Sequence, residues 1–126
     1  MEPNPLLIPV SAGELLDKIT ILEIKEERIT DAGKLESVKA ELKLLRNELL
    51  KLAQSTELER LSRALKTANE QIWDAEESVR QGGVEDEQFL EWSKISHSGN
   101  DERFRLKSEI NKLLGSEIVE VKSHQD

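Results

Sequence analysis

Residues 35–79 read LESVKAELKLLRNELLKLAQSTELERLSRALKTANEQIWDAEESV, and the spacing of their apolar side chains decides the fold class. Leu35, Val38, Leu42, Leu45, Leu49 and Leu52 step by alternating threes and fours, the repeat that keeps one stripe of a helix facing a neighbour. Leu58, Leu61, Leu65, Ala68, Ile72, Ala75 and Val79 repeat it, out of register with the first set across Gln54, Ser55 and Thr56. A connection of about two to five residues makes consecutive helices antiparallel, so the spacing predicts a helical hairpin whose two ladders face each other. A single kinked helix is the alternative.

The rest of the chain extends this into an all-α bundle. All three prolines, at positions 3, 5 and 9, lie in residues 1–10, which are expected to be an extended lead-in. Ser11 with Glu14 three residues on predicts a capping box and a first helix carrying apolar residues from Leu15 to Ile29. Thr30, Asp31, Ala32 and Gly33 break that helix, and Asp31 offers a cap to the next. Thr56 with Glu59 predicts a second capping box, and Gly82-Gly83 a stop near Gln81. Beyond it a short helix is expected over residues 84–95, then a loop at His97, Ser98, Gly99 and Asn100. A fifth helix should start at Asn100 and end at Gly115. Residues 116–126 form a tail in which Ile118, Val119 and Val121 could pair as a strand with residues 6–10.

Composition fits one helical domain of 126 residues, a length that buries well over half of the unfolded surface. The charged fraction of 35% with four aromatic residues suits solvated outer faces around leucine-filled seams. A net charge of -8, with no basic run, makes nucleic acid and anionic membrane poor partners. The absence of cysteine removes disulfides and thiolate chemistry and fits the cytoplasm; no targeting segment is expected in residues 1–10, whose apolar run is too short to span a membrane.

Helix periodicity exposes the polar side chains that break the pattern. The first helix has two apolar sides, Leu15, Ile19, Leu22 and Ile29 on one and Ile21 and Ile24 on the other, so it is expected at the centre of the bundle. Glu23 and Glu26 fall in its main arc, where a carboxylate is either a general acid/base or metal ligand, or one half of an internal ion pair. On the third helix Asn69, Trp73, Glu76 and Arg80 share a shoulder stripe. That stripe is either a recognition strip around the indole, or Trp73 covering the bundle end beside an ordinary Glu76–Arg80 pair. Asn100, Asp101, Arg103 and Lys107 surround the expected start of the last helix, where two cations and free N–H groups could hold an anion or pair internally. His97 and His124 lack partners at ligand spacing, so no metal site is expected, and no motif calls for a cofactor.

Four segments also carry a resemblance: residues 10–25 (VSAGELLDKITILEIK), residues 72–76 (IWDAE), residues 100–107 (NDERFRLK) and residues 115–120 (GSEIVE). They resemble an uncharacterised family of small helical proteins, a domain of unknown function in bacteria and some viruses. The resemblance implies an accessory role, since members are often encoded near glycosyltransferases and surface-polysaccharide genes. The family carries an aromatic where this chain reads Ile95, Ser96, His97 and Ser98. The matched positions include Asp17, Lys18, Glu23, Lys25, Trp73, Asp74, Asn100, Asp101 and Arg103, a mostly polar set expected to meet between the first, third and last helices.

Two functions follow as expectations. The first is a non-enzymatic module that binds a protein partner or itself, with a homodimer as one form. The second is a Mg²⁺-dependent all-α nucleotide pyrophosphohydrolase, since Glu23-x-x-Glu26 and Asp74-x-x-Glu77 copy the internal spacing of its carboxylate pairs, though not the distance between them. A chorismate-mutase-like enzyme needs several cations converging on a dicarboxylate, which the acidic balance opposes.

Overall fold

The computed structural model describes residues 5–81 and 86–116, and every structural statement concerns those residues. They form four helices: α1 (Ala12–Arg28), α2 (Ala32–Leu49), α3 (Thr56–Arg80) and α4 (Asp86–Leu114). Residues 5–10 are neither helix nor strand. The strand pairing expected of the tail has one partner beyond residue 116, outside the described residues. None of the four helices is long and apolar enough to cross a membrane.

Local chemistry starts and stops these helices much as the sequence predicts. The Ser11 hydroxyl accepts the Glu14 N–H at 3.1 Å and caps α1, and Asp31 Oδ1 accepts the Lys34 N–H at 2.9 Å and caps α2. The cap of α3 is Ser55 and not Thr56, its hydroxyl accepting the Leu58 N–H at 3.0 Å. Glu14 does not close a capping box. Its carboxylate turns to Lys107, with Oε2 2.8 Å from Nζ.

Packing departs from the expected hairpin in one respect. The long antiparallel hairpin is α3 with α4, and α2 and α3 share no packed face. The second ladder is covered by α4 and by α1: Leu58, Leu61, Leu65 and Ala68 cluster with Leu16, Leu106 and Ile110. The first ladder lies along a neighbouring face of α1, where Val38 and Leu42 pack with Leu15, Ile19 and Leu22. Leu49 and Leu52, near the turn, reach both clusters. The two ladders do not face each other because α1 separates them. A helix apolar on two sides lowers the free energy most when both sides are covered, and α1 is central as its pattern predicts. The result is a three-helix core of α1, α3 and α4 with α2 against one flank.

The second departure is in α4. A short helix, a loop and a fifth helix were expected, but one helix runs through His97, Ser98, Gly99 and Asn100. Glycine and asparagine disfavour helix by less than about 1 kcal/mol each, which tertiary packing overrides. The packing reason is visible at Gly99, which is buried: a Cβ there would stand 2.7 Å from Ile72 Cγ1. The missing side chain lets α4 approach α3 closely. Asn100 is therefore not a cap; its side-chain amide donates to the Ser96 carbonyl at 3.0 Å within the helix.

Candidate functional site: a buried carboxylate clamp

Asp17, Thr20, Asn69, Arg103 and Lys107 meet where α1, α3 and α4 converge. Asp17 lies in the second turn of α1 and is 1% exposed, a position where an unpaired carboxylate would be strongly unfavourable. Arg103 grips it with two parallel bonds, Nε to Oδ1 at 2.8 Å and an Nη to Oδ2 at 2.5 Å. Asn69 on α3 donates from Nδ2 to Asp17 Oδ1 at 3.0 Å and to Thr20 Oγ1 at 2.9 Å, and the Thr20 hydroxyl donates to the Asp17 carbonyl at 2.8 Å. Lys107, one turn beyond Arg103, places Nζ 3.9 Å from Asp17 Oδ2 while binding Glu14. Burial pushes the Asp17 carboxyl up. The Arg103 and Asn69 hydrogen bonds and the charges of Arg103 and Lys107 together outweigh it and hold the carboxyl below its usual range.

The same contact between α1 and α4 continues to the helix end. Gly13 N–H donates to Asn111 Oδ1 at 2.6 Å and Ala12 N–H to Ser116 Oγ at 3.3 Å, so α4 and the residues just beyond it cap the orphan donors of α1. Gly115, at φ 62°, turns the chain after α4 and leaves Ser116 in place for this bond. Gly13 is required by proximity, since a Cβ there would lie 2.5 Å from the Lys107 carbonyl oxygen.

Of the residues singled out from sequence, Asp17, Asn69, Arg103 and Lys107 are brought together and the others are not. Lys18 is exposed, 4.0 Å from Glu14. Glu23 pairs with Arg46 of α2 at 3.0 Å, and Asp74 pairs with Arg28. Lys25 and Trp73 are half-buried. Glu76 and Arg80 form no ion pair with each other; with Trp92 and His97 they line a shallow groove of about 390 Å³ between α3 and α4. Asp101 lies 4.0 Å from His97. The anion expected at Arg103 and Lys107 is internal, namely Asp17 and Glu14, and no free helix start exists there because both lie deep inside α4. Thr20, Gly13, Asn111 and Ser116 were not foreseen as part of the cluster. The one available signal was a glycine in the first turn of a helix, which propensity alone disfavours.

The chemistry open to this arrangement is limited. Both oxygens of Asp17 already accept hydrogen bonds, and no buried side-chain nitrogen or oxygen among the described residues lacks a partner. The carboxylates of the expected Mg²⁺ pairs are dispersed, Glu23 to Arg46 and Asp74 to Arg28, and among the described residues no three His, Asp or Glu side chains gather as a metal ion requires. A second groove, of about 530 Å³, runs along α1 between α2 and α3, with Leu16, Ile19 and Leu58 beneath it and Glu23, Glu59, Arg63 and Lys66 at its edges. Compared with known proteins, the chain matches no family model, no curated protein and no solved structure.

Proposed function

We propose that this is a non-enzymatic helical module of the cytoplasm that acts by binding a protein partner or a second copy of itself. The observation that carries this reading is the apolar surface left uncovered: Leu6, Leu7 and Ile8 before α1, Leu50 at the turn, and Phe89 and Leu90 at the start of α4 are all exposed. Exposed apolar side chains in groups mark interaction surfaces, whereas single ones need no explanation. The clamp supports the non-enzymatic half, because a carboxylate bonded on both oxygens and held ionised is positioned to join three helices and not to take or give a proton. The acidic balance, -8 overall, directs the module towards protein and away from nucleic acid or anionic lipid. The resemblance to an uncharacterised helical family belongs to the same proposal and implies an accessory role.

Light scattering coupled to size exclusion, together with pull-downs using the intact chain, tests the reading. A stable oligomer or a stoichiometric partner is the expected result, and a strict monomer that captures nothing would sink it. Calorimetric titration with Mg²⁺ tests the non-enzymatic half. No heat of binding is expected, and saturable binding lost in Glu23→Gln would restore the pyrophosphohydrolase reading.

A further inference from the structure

Helix α2 is fastened to one neighbour only, and we infer that it occupies a docking face of α1 which an amphipathic, cationic helix of a protein partner takes over when α2 swings aside. The inference rests on the interaction reading above and names the surface and the class of partner. Every buried member of the cluster beneath α2 comes from α1 or from α2 itself: Leu15, Ile19 and Leu22 from the one, Val38 and Leu42 from the other. No buried member of the second cluster and no residue of the Asp17 clamp comes from α2, and Leu49 and Leu52 at the turn touch that cluster only as half-buried edge residues. Removing α2 therefore bares an apolar stripe on α1 and leaves α1, α3 and α4 joined as before. Among the described residues a single polar link ties α2 to another helix, Arg46 Nη2 to Glu23 Oε2 at 3.0 Å, and water reaches that pair, which weakens it.

The connections suit this movement. Residues 29–31 join α1 to α2 and residues 50–55 join α2 to α3; extended, they reach roughly 10 and 20 Å, about one and two helix diameters, so α2 swings aside as an intact helix with neither neighbour unwinding. What α2 leaves behind also specifies what fits there. Leu15, Ile19 and Leu22 step by four and three and accept apolar side chains in the same steps, as Val38, Leu42 and Leu45 supply them. Glu23 loses Arg46 and stands as an unpaired carboxylate beside the stripe, in a chain of net charge -8; a Lys or Arg at the place of Arg46 on the incoming helix answers it. The partner helix is thus a copy of α2 in pattern and charge, and α2 is its competitor within the chain.

A synthetic peptide of residues 31–54 carries the α2 ladder and Arg46 and serves as the probe. Labelled with a fluorophore and titrated by anisotropy, it should bind the intact chain, and bind the Leu42→Ala chain at least roughly tenfold more tightly, because weakening the internal competitor raises the fraction of molecules with the face bared. Circular dichroism checks folding; Arg46→Glu, an exposed substitution, replaces Leu42→Ala if that chain does not fold, and should tighten binding several-fold. Hydrogen exchange on the isotope-labelled chain with unlabelled peptide should show the chain's own α2 amides exchanging faster at saturation, with α3 and α4 unchanged. A peptide carrying Arg46→Glu should bind the Leu42→Ala chain less tightly than the natural peptide, a difference that Glu23→Gln in the chain abolishes. No saturable binding, equal affinity for the natural and loosened chains, or binding that leaves α2 exchange unaltered overturns the docking face. If the peptide does not bind, an oligomer or a captured partner leaves the interaction reading standing, and a monomer that captures nothing sinks both. A homodimer that dissociates on adding the peptide shows the occupant to be the α2 of a second copy and overturns the assignment to another protein.

Discussion

Asp17 ties the tertiary structure together at one point, because among the described residues its carboxylate is bonded to both other core helices, through Asn69 of α3 and Arg103 of α4. Replacing it with Asn keeps the shape but leaves Arg103 and Lys107 facing a neutral group, and breaking a buried charge pair costs about 3–5 kcal/mol. Arg103 is 30% exposed on its side chain and Lys107 keeps Glu14, so the loss in Asp17→Asn should fall at the lower end, about 3 kcal/mol, read as a lower urea midpoint. An unchanged midpoint would show that the clamp adds nothing to stability. The pH dependence has a defined sign. A carboxyl whose folded pKa lies below its unfolded value stabilises fully above the unfolded value and loses that contribution as pH falls through the folded one. Stability is therefore expected to hold from neutral pH to about 5 and to fall below about 4, less steeply in Asp17→Asn than in the natural chain. Parallel urea titrations at stepped pH measure this, and identical slopes in the two proteins would exclude Asp17 as the source.

At the scale of elements, two glycines with the same helix propensity should respond to alanine with opposite signs. Gly99 lies where α4 crosses α3, and its new Cβ would meet Ile72 Cγ1 at 2.7 Å. Overpacking of this kind costs about 1–3 kcal/mol against a propensity gain of about 1 kcal/mol, so Gly99→Ala should lower the Tm. Gly33 opens α2 on the surface, its nearest would-be contact being Asp31 Oδ1 at 3.4 Å, so Gly33→Ala should raise the Tm slightly. A Gly99→Ala protein as stable as Gly33→Ala would mean that α4 and α3 do not depend on close approach there. The same crossing explains why one helix spans a segment whose local signals read as a loop. Helix one, by contrast, was legible to within a residue, because Ser11 before it and the Asp31 break after it act within a single turn of chain.

Over the whole molecule, stability should be unevenly distributed. Helix α2 packs against α1 alone and buries only Val38 and Leu42, while α1 is covered by three helices and α3 by two. Few buried apolar side chains mean a small free energy of local opening. Native-state hydrogen exchange is therefore expected to show α2 amides exchanging well before those of α1 and of the α3–α4 hairpin. Equal protection in all four helices would contradict a core of three helices with a flanking fourth.

The sequence by itself determined the helical class, the central place of α1, and the first three helices to within a residue or two except where α2 ends, at Leu49 and not near Ala53, because periodicity, caps and breakers are properties of neighbours along the chain. It also marked Asn69 beside its ladder and Arg103 and Lys107 as two cations on one helix face, while Asp17 stood out only among the positions matched by the resemblance. Only the tertiary structure decided which helices pair. Both ladders are apolar stripes of the same kind, and nothing in a stripe specifies whether it covers α1, α4 or the other ladder. Nor could spacing join Asp17 to a cation 86 residues away or to an amide 52 away. Glu23, Asp74 and Asn100 had equal standing in the sequence and were dispersed by the fold, because a carboxylate or amide takes whichever partner packing brings within reach.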